Sequence, residues 1–255
     1  MLAIIGGSGM SRLAELEDAR RQVVRTPYGE PSGAVTFGRL NTHNVAFLAR
    51  HGYGHTIPPH AVNYRANIWA LASQGARNIV SIASVGGIRA DLAPGNLAVP
   101  SQVIDYTYGR DSTFFDGEDG FVRHIDFTHP YCPRLRGELL DAFRCAELSV
   151  VDGGVYAVTQ GPRLETAAEI ERLARDGADM VGMTGMPEAV LARELGVSYA
   201  ALAVVANWAA GRETSQAGIV LAEIGKVLEQ AMLQVRRVLN CLEVEDGDQT
   251  SAQTR

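Results

Sequence analysis

Residues 181–188, Val-Gly-Met-Thr-Gly-Met-Pro-Glu, bring the end of a buried strand, two glycines, a hydroxyl and the start of a helix together in eight positions. The apolar run 180–183 reads as a strand and Thr184 falls on its exit loop. Pro187 suits the first turn of a helix, where its fixed φ is preorganised and its missing N–H would have had no partner. A strand feeding straight into a helix commits this part of the chain to an α/β arrangement. Backbone N–H groups at such a junction point outward with the positive end of the helix dipole, so an anion can settle there, and Thr184 adds a hydroxyl donor. The same residues also read as packing alone, with Met183 and Met186 filling core and Thr184 acting only as a cap.

The rest of the chain repeats the theme. Residues 1–5 form a first buried strand that runs into Gly6-Gly-Ser-Gly9, followed by a short helical pattern over 12–21. Strands are expected at 35–37 and 45–49 across a polar hairpin turn at 41–44, then a helix over 61–73 that stops at Gly75. An apolar strand at 78–83 ends in a second glycine loop, Ser84-Val-Gly-Gly87, and short strands follow at 97–100 and 102–105. Residues 135–148 make an amphipathic helix and 154–158 a strand. Thr166 with Glu169 forms a capping box that starts another helix. A fully apolar strand over 199–205 leads to Asn207, a mobile-looking stretch covers 212–218, and a long helix spans 221–242. A chain of 255 residues, 46% hydrophobic, can bury one large core, so a single domain over 1–244 is expected, with a polar, disordered tail from 245 to 255.

A formal net charge of -6 with no lysine- or arginine-rich run excludes nucleic acid and anionic membrane as partners, because neutralising many phosphates needs a basic face. Any phosphate site must be local. Cys132, Cys145 and Cys241 are odd in number and without a CxxC pair, which fits reduced thiols and a cytoplasmic location. The apolar start is too short for a signal sequence or a membrane span.

Several positions carry chemistry. Gly7, Ser8 and Gly9 lack the third glycine and the later acidic residue of a dinucleotide site, and read either as a plain tight turn or as a small-anion site with Ser8 as donor. Arg50 and His51 end a strand, where a guanidinium fork suits phosphate. His51, His55 and His60 could suggest a metal, but Pro58 and Pro59 break any helix that would put them on one face, so no metal is expected. Glu165, just before a helix, is either a pocket carboxylate kept ionised by the helix terminus or a surface charge. Asn207 offers both a donor and an acceptor at a strand end. The aperiodic loop 106–132 reads as a lid or a subunit contact, with His124 and Phe127 either reaching a ligand or pinning the loop.

Taken together, Arg50-His51-Gly52, residues 63–71, Gly161-Pro-Arg-Leu-Glu-Thr166 and Gly182-Met-Thr-Gly-Met-Pro-Glu188 resemble the trimeric purine nucleoside phosphorylase and methylthioadenosine phosphorylase family over about residues 3–238. The resemblance implies a single α/β domain with a twisted mixed sheet, partly closed as a barrel, surrounded by helices. It further implies a phosphate site at Ser8, Arg50, His51, Ser84 and Thr184, a sugar-lining Met183, and base recognition by Glu165 and Asn207 with Ala209 beside them. Asn207, Thr184, Arg50 and His51 would then serve catalysis. Leu221 and the adjacent Ile219 would lie near the sugar's 5' group, and His124 would reach substrate from the long loop. Inorganic phosphate would be the co-substrate, with no other cofactor, and the assembly a homotrimer whose 106–132 loop caps a neighbour's site. Two positions depart from the pattern: Ser8 stands where the methylthio branch has threonine, and Trp208 where a smaller residue is usual.

The substrate expectation follows from hydrogen-bond polarity. A 6-oxopurine offers an N1–H donor and an O6 acceptor, so an ionised Glu165 can accept from N1 while Asn207 serves N7 and O6. Adenine presents a lone pair at N1, and a site built for one pattern can reject the other by roughly 10⁴ or more. The adenine-specific branch has serine and aspartate at these two positions. An apolar wall around Leu221 disfavours a 5'-hydroxyl, since burying an unpaired hydroxyl costs about 1–3 kcal/mol. The expected reaction is phosphorolysis of S-methyl-5'-thioinosine, with a general 6-oxopurine enzyme, a methylthioadenosine enzyme and a non-catalytic purine sensor as the alternatives.

Overall fold

The computed structural model describes residues 1–117 and 122–245; the expected tail falls, from residue 246 onward, outside the described residues. Its centre is β5 (Asn78–Gly87), an almost wholly buried strand that pairs in parallel with β1 (Leu2–Gly6) and β11 (Ser198–Trp208) and antiparallel with β10 (Met180–Gly182). From β1 the sheet continues through β4 (His43–Ala49) and β3 (Val35–Leu40) to β2 (Glu17–Gln22). From β10 it continues through β9 (Val155–Val158) to β7 (Gln102–Asp105), while β11 carries β6 (Leu97–Val99) and β8 (Val151–Asp152) on its other edge. The sheet is mixed, as expected, and it branches at β11, but it is not closed as a barrel: its path runs from β2 at one end to β7 at the other.

Strand alternation divides the core in two. Ala3, Ile5, Ile79, Ala83, Ala201 and Ala203 face α1 (Tyr64–Ser73) and α4 (Gly185–Glu194), whereas Leu2, Ile4, Val80, Ile82, Leu202 and Val204 face α2 (Pro133–Cys145) and α5 (Leu221–Asn240). A sheet buried on both faces explains why these strands read as continuous apolar runs. α3 (Ala167–Arg175) starts with the expected capping box and packs its Ile170 and Leu173 on a smaller cluster with Val181 and Ala209.

Three local expectations change. Residues 12–21 are not helical: Leu13 and Leu16 sit at helical spacing because both are buried anchors of a turn, and the charged run after them forms β2, an exposed edge strand paired with β3. The glycine loop at 84–87 is instead the end of β5, held in the ladder by Trp208 and Met180 opposite Gly87. β11 likewise carries Asn207 within the strand, past an irregularity between Val205 and Asn207. Among the described residues no helix is long and apolar enough to cross a membrane.

Candidate active site

The sheet register assembles the site. Gly6 lies opposite Ala49 and Ile5 opposite Ser81, so the chain leaves β1 at Gly7 and Ser8 directly beside Arg50 leaving β4. Asn207 pairs with Gly86, which brings the last turn of β11 to the same sheet end. Ligands in parallel α/β sheets bind outside the carboxyl ends of the strands. A cavity of about 590 Å³ opens there, lined by Ser8, Arg50, His51, Ser84, Met183, Thr184, Glu165, Asn207, Ala209 and Ile219 among others. Ten of the residues singled out in the sequence thus line a single cavity.

Arg50 does not present the open fork expected of it. The side chain is fully buried, and Glu188 accepts from its Nε at 2.5 Å and from Nη2 at 3.0 Å. Nη2 also donates to Ser81 Oγ at 2.6 Å and Nη1 to the Ile82 carbonyl at 2.9 Å. A guanidinium has five N–H donors, so one, on Nη1, is left for the cavity. The planar fork is occupied by Glu188, itself fully buried and also accepting from Ser81 and Tyr199. Gly7 makes this arrangement possible: a Cβ there would lie 2.5 Å from the Ile82 oxygen and 2.9 Å from Arg50 Nη1.

His51 places Nδ1 2.8 Å from the Ile57 carbonyl. A carbonyl only accepts, so Nδ1 carries the proton and Nε2 is left as a lone pair. Burial, reinforced by the positive charge of Arg50, pushes the imidazole pKa down to about 4, and the ring is neutral at neutral pH. Thr184 caps α4 without spending its hydroxyl on the helix, and its backbone N–H donates to Tyr156 at 3.4 Å. The Ser84 hydroxyl donates to the Ser8 carbonyl at 3.4 Å. Hydroxyls from Ser8, Ser84 and Thr184, one Arg50 N–H and a neutral imidazole therefore surround the anion end of the cavity.

At the other end Glu165 is half-buried in the loop before α3 and accepts from the Thr159 hydroxyl at 2.6 Å, which fixes one carboxylate oxygen and leaves the other for a ligand. Asn207 donates one amide hydrogen to its neighbour's carbonyl, Trp208 O, at 2.7 Å, keeping a second N–H and its carbonyl oxygen. The Trp208 side chain does not line the cavity; its strand position faces the other way from Asn207.

Two expected residues are not brought to the cavity. Leu221, the first residue of α5, is 70% exposed, and the apolar wall is built by Ile219, Ile224 and Leu228. Leu221 stands three residues before Ile224 at helical spacing, yet at the first position of α5 its side chain is turned to solvent while Ile219 before it and Ile224 after it line the cavity. His124 is exposed on the outer part of the 106–132 loop, and Phe127 packs against its own core. Glu188 closes the 181–188 motif but was given no role of its own there, and Thr159 and Arg110 were not read as site positions; Ile224 and Leu228 were legible as an i, i+4 apolar pair. No group of three metal-ligating side chains occurs among the described residues.

An α/β sheet whose strand termini gather three hydroxyls, a neutral imidazole, a carboxylate and a carboxamide around one small cavity is built for group transfer on a small molecule. Comparison with known proteins makes that class specific: the chain belongs to the phosphorylase superfamily, whose family model matches residues 1–242, and it is an enzyme of the pentosyltransferase type. It is 54% identical over 223 residues to a probable S-methyl-5'-thioinosine phosphorylase of Xanthomonas campestris pv. campestris, covering 88% of this chain and 89% of the relative. It is 48% identical over 215 residues to a 6-oxopurine nucleoside phosphorylase of Pyrococcus furiosus, covering 82% and 80%. Among solved structures, the methylthioadenosine phosphorylase of Schistosoma mansoni in complex with adenine matches with a TM-score of 0.89 at 31% identity, covering 94% of this chain and 90% of that one.

Proposed function

We propose that the protein catalyses phosphorolysis of S-methyl-5'-thioinosine to hypoxanthine and 5-methylthioribose 1-phosphate. The observation that carries this reading is the pairing, in one cavity, of Glu165 and Asn207 with an apolar wall of Ile219, Ile224 and Leu228. Glu165, oriented by Thr159, accepts from N1–H of a keto purine, and Asn207 serves N7 and O6. As the C1'–N9 bond breaks, the sugar passes through an oxocarbenium-like state and the purine leaves with N7 protonated, a form the Asn207 carbonyl oxygen stabilises; the proton gained by the base is balanced by the one monohydrogen phosphate gives up on bonding to C1'. A phosphate oxygen held by Ser8, Ser84, Thr184 and the remaining Arg50 N–H forms the new bond to C1'. His51, neutral and with its Nε2 lone pair free, accepts a hydrogen bond from a protonated phosphate oxygen. Phosphate is the co-substrate, and no covalent enzyme intermediate is required.

The apolar wall favours a methylthio group over a hydroxyl at the 5' position, because a buried hydroxyl without a partner costs about 1–3 kcal/mol. We place the enzyme in the cytoplasm as a homotrimer on its family resemblance, with His124 reaching a neighbour's site. The test is phosphate-dependent release of free base, comparing catalytic efficiency on methylthioinosine, inosine and methylthioadenosine. Methylthioinosine is expected to lead; a clear lead for inosine would make this a general 6-oxopurine enzyme, and no turnover would leave a purine-binding protein.

A further inference from the structure

Arg110 leaves the long loop between β7 and α2 and inserts its guanidinium behind the cavity without lining it. Nε donates to Gln160 Oε1 at 3.1 Å, and Nη2 to the carbonyls of Gln160 at 2.9 Å and Thr159 at 3.3 Å. Nη1 meets the Met186 carbonyl at 2.6 Å, the Met183 carbonyl at 2.9 Å and the Tyr64 hydroxyl at 3.2 Å. The guanidinium carbon stacks 5.1 Å over the Tyr64 ring. These six partners are carbonyl, amide and phenol oxygens, with no carboxylate among them.

The acceptors belong to the two loops that present the substrate-facing groups. The β9–β10 ladder ends at the Val158 and Gly182 pair, closed by the Thr159 N–H to the Gly182 carbonyl at 2.8 Å. Beyond that point the chains diverge, one toward Glu165 and the other toward Met183 and Thr184, and Arg110 bridges them. Thr159, whose carbonyl Arg110 takes, sends its hydroxyl to Glu165. A planar fork of five N–H donors can hold several carbonyls at set relative positions, which the three donors of a lysine on a flexible stem cannot.

We infer that Arg110 is a positioning residue for the transfer reaction: it sets the spacing between the base end of the site at Glu165 and the sugar end at Met183. The inference rests on the assignment of those ends given above. Ser8, Arg50, His51 and Ser84 come from elements Arg110 does not touch, and of the phosphate-facing groups only Thr184 lies on a segment it holds, so phosphate binding depends on it less than nucleoside binding does.

The experiment compares the unaltered enzyme with Arg110→Met and Arg110→Lys in steady-state phosphorolysis, varying nucleoside and phosphate separately, with and without added guanidinium chloride at concentrations below its denaturing range. Misplacing reacting groups by about 1 Å can cost about 100-fold, so both variants are expected to lose about 10- to 100-fold in kcat over nucleoside KM while phosphate KM stays within about threefold. Guanidinium is expected to restore part of the Arg110→Met loss. The inference is overturned if either folded variant keeps unaltered kinetics, or if both substrates' KM values rise together with no rescue, the mark of general loosening. Should Arg110→Met not fold, the same split is read on Arg110→Lys. An unaltered enzyme inactive on every purine nucleoside overturns the functional reading itself, a result separate from an active enzyme that is indifferent to Arg110.

Discussion

Arg50 and Glu188 form a fully buried, two-point ion pair across 138 residues of sequence, with Nε and Oε1 2.5 Å apart. The permanent cation beside the Ser8, Ser84 and Thr184 hydroxyls is therefore already balanced, and under the proposed function a phosphate there would meet mainly neutral donors. Such a pair fixes geometry more than it adds net charge.

Removing one partner leaves an unpaired buried charge. Glu188→Ala is expected to destabilise the fold by about 3–5 kcal/mol, read by urea denaturation. A loss below about 1 kcal/mol would equate the pair with an exposed salt bridge and contradict its burial.

Asn207 is half-buried and bonds only locally to the Trp208 carbonyl, so it contributes little to stability. Asn207→Ala is expected to lose about 100-fold or more in turnover with an almost unchanged melting temperature. Full turnover in that variant would remove the amide from the mechanism.

His51 titrates near 4 in the fold against an ordinary value of 6.5, because burial and then Arg50 disfavour its charged form. A depressed base contributes stability that is fully present above 6.5 and is lost as pH falls toward 4. Unfolding free energy measured at several pH values across that window should fall more steeply in the unaltered protein than in His51→Asn. Parallel slopes would show that the ring titrates normally.

The 5' wall offers a specificity test. Ile224→Ser introduces a polar partner opposite the sugar's 5' group and is expected to shift the methylthioinosine-to-inosine efficiency ratio about tenfold toward inosine. Leu221→Ala, at an exposed position, should leave both that ratio and stability almost unchanged, within about 0.5 kcal/mol for stability. A larger effect at Leu221 than at Ile224 would place the wall one turn nearer the start of α5 than it lies here.

Most of the cavity was legible in the chain because strand ends in an α/β sheet converge. Ser8, Arg50, Ser84, Thr184 and Asn207 each follow or end an apolar run, and that pattern alone places them at one edge. Elements buried on both faces were legible for the same reason, while β2, exposed and charged, was not: its pairing with β3 is a tertiary event with no hydrophobic signature.

What the sequence determined by itself was local: which residues punctuate strands, where the Thr166 capping box starts a helix, and which polar groups could meet a purine or an anion. Only the tertiary structure decided which acceptors those groups would meet. Glu188 claims the Arg50 fork, Thr159 orients Glu165, Arg110 spans two loops, and Leu221 stops short of the wall that Ile224 and Leu228 build. Hydrogen-bond partnership and pocket edges depend on distances between segments far apart in the chain, and periodicity, which reports only the face a residue occupies, carries no record of them.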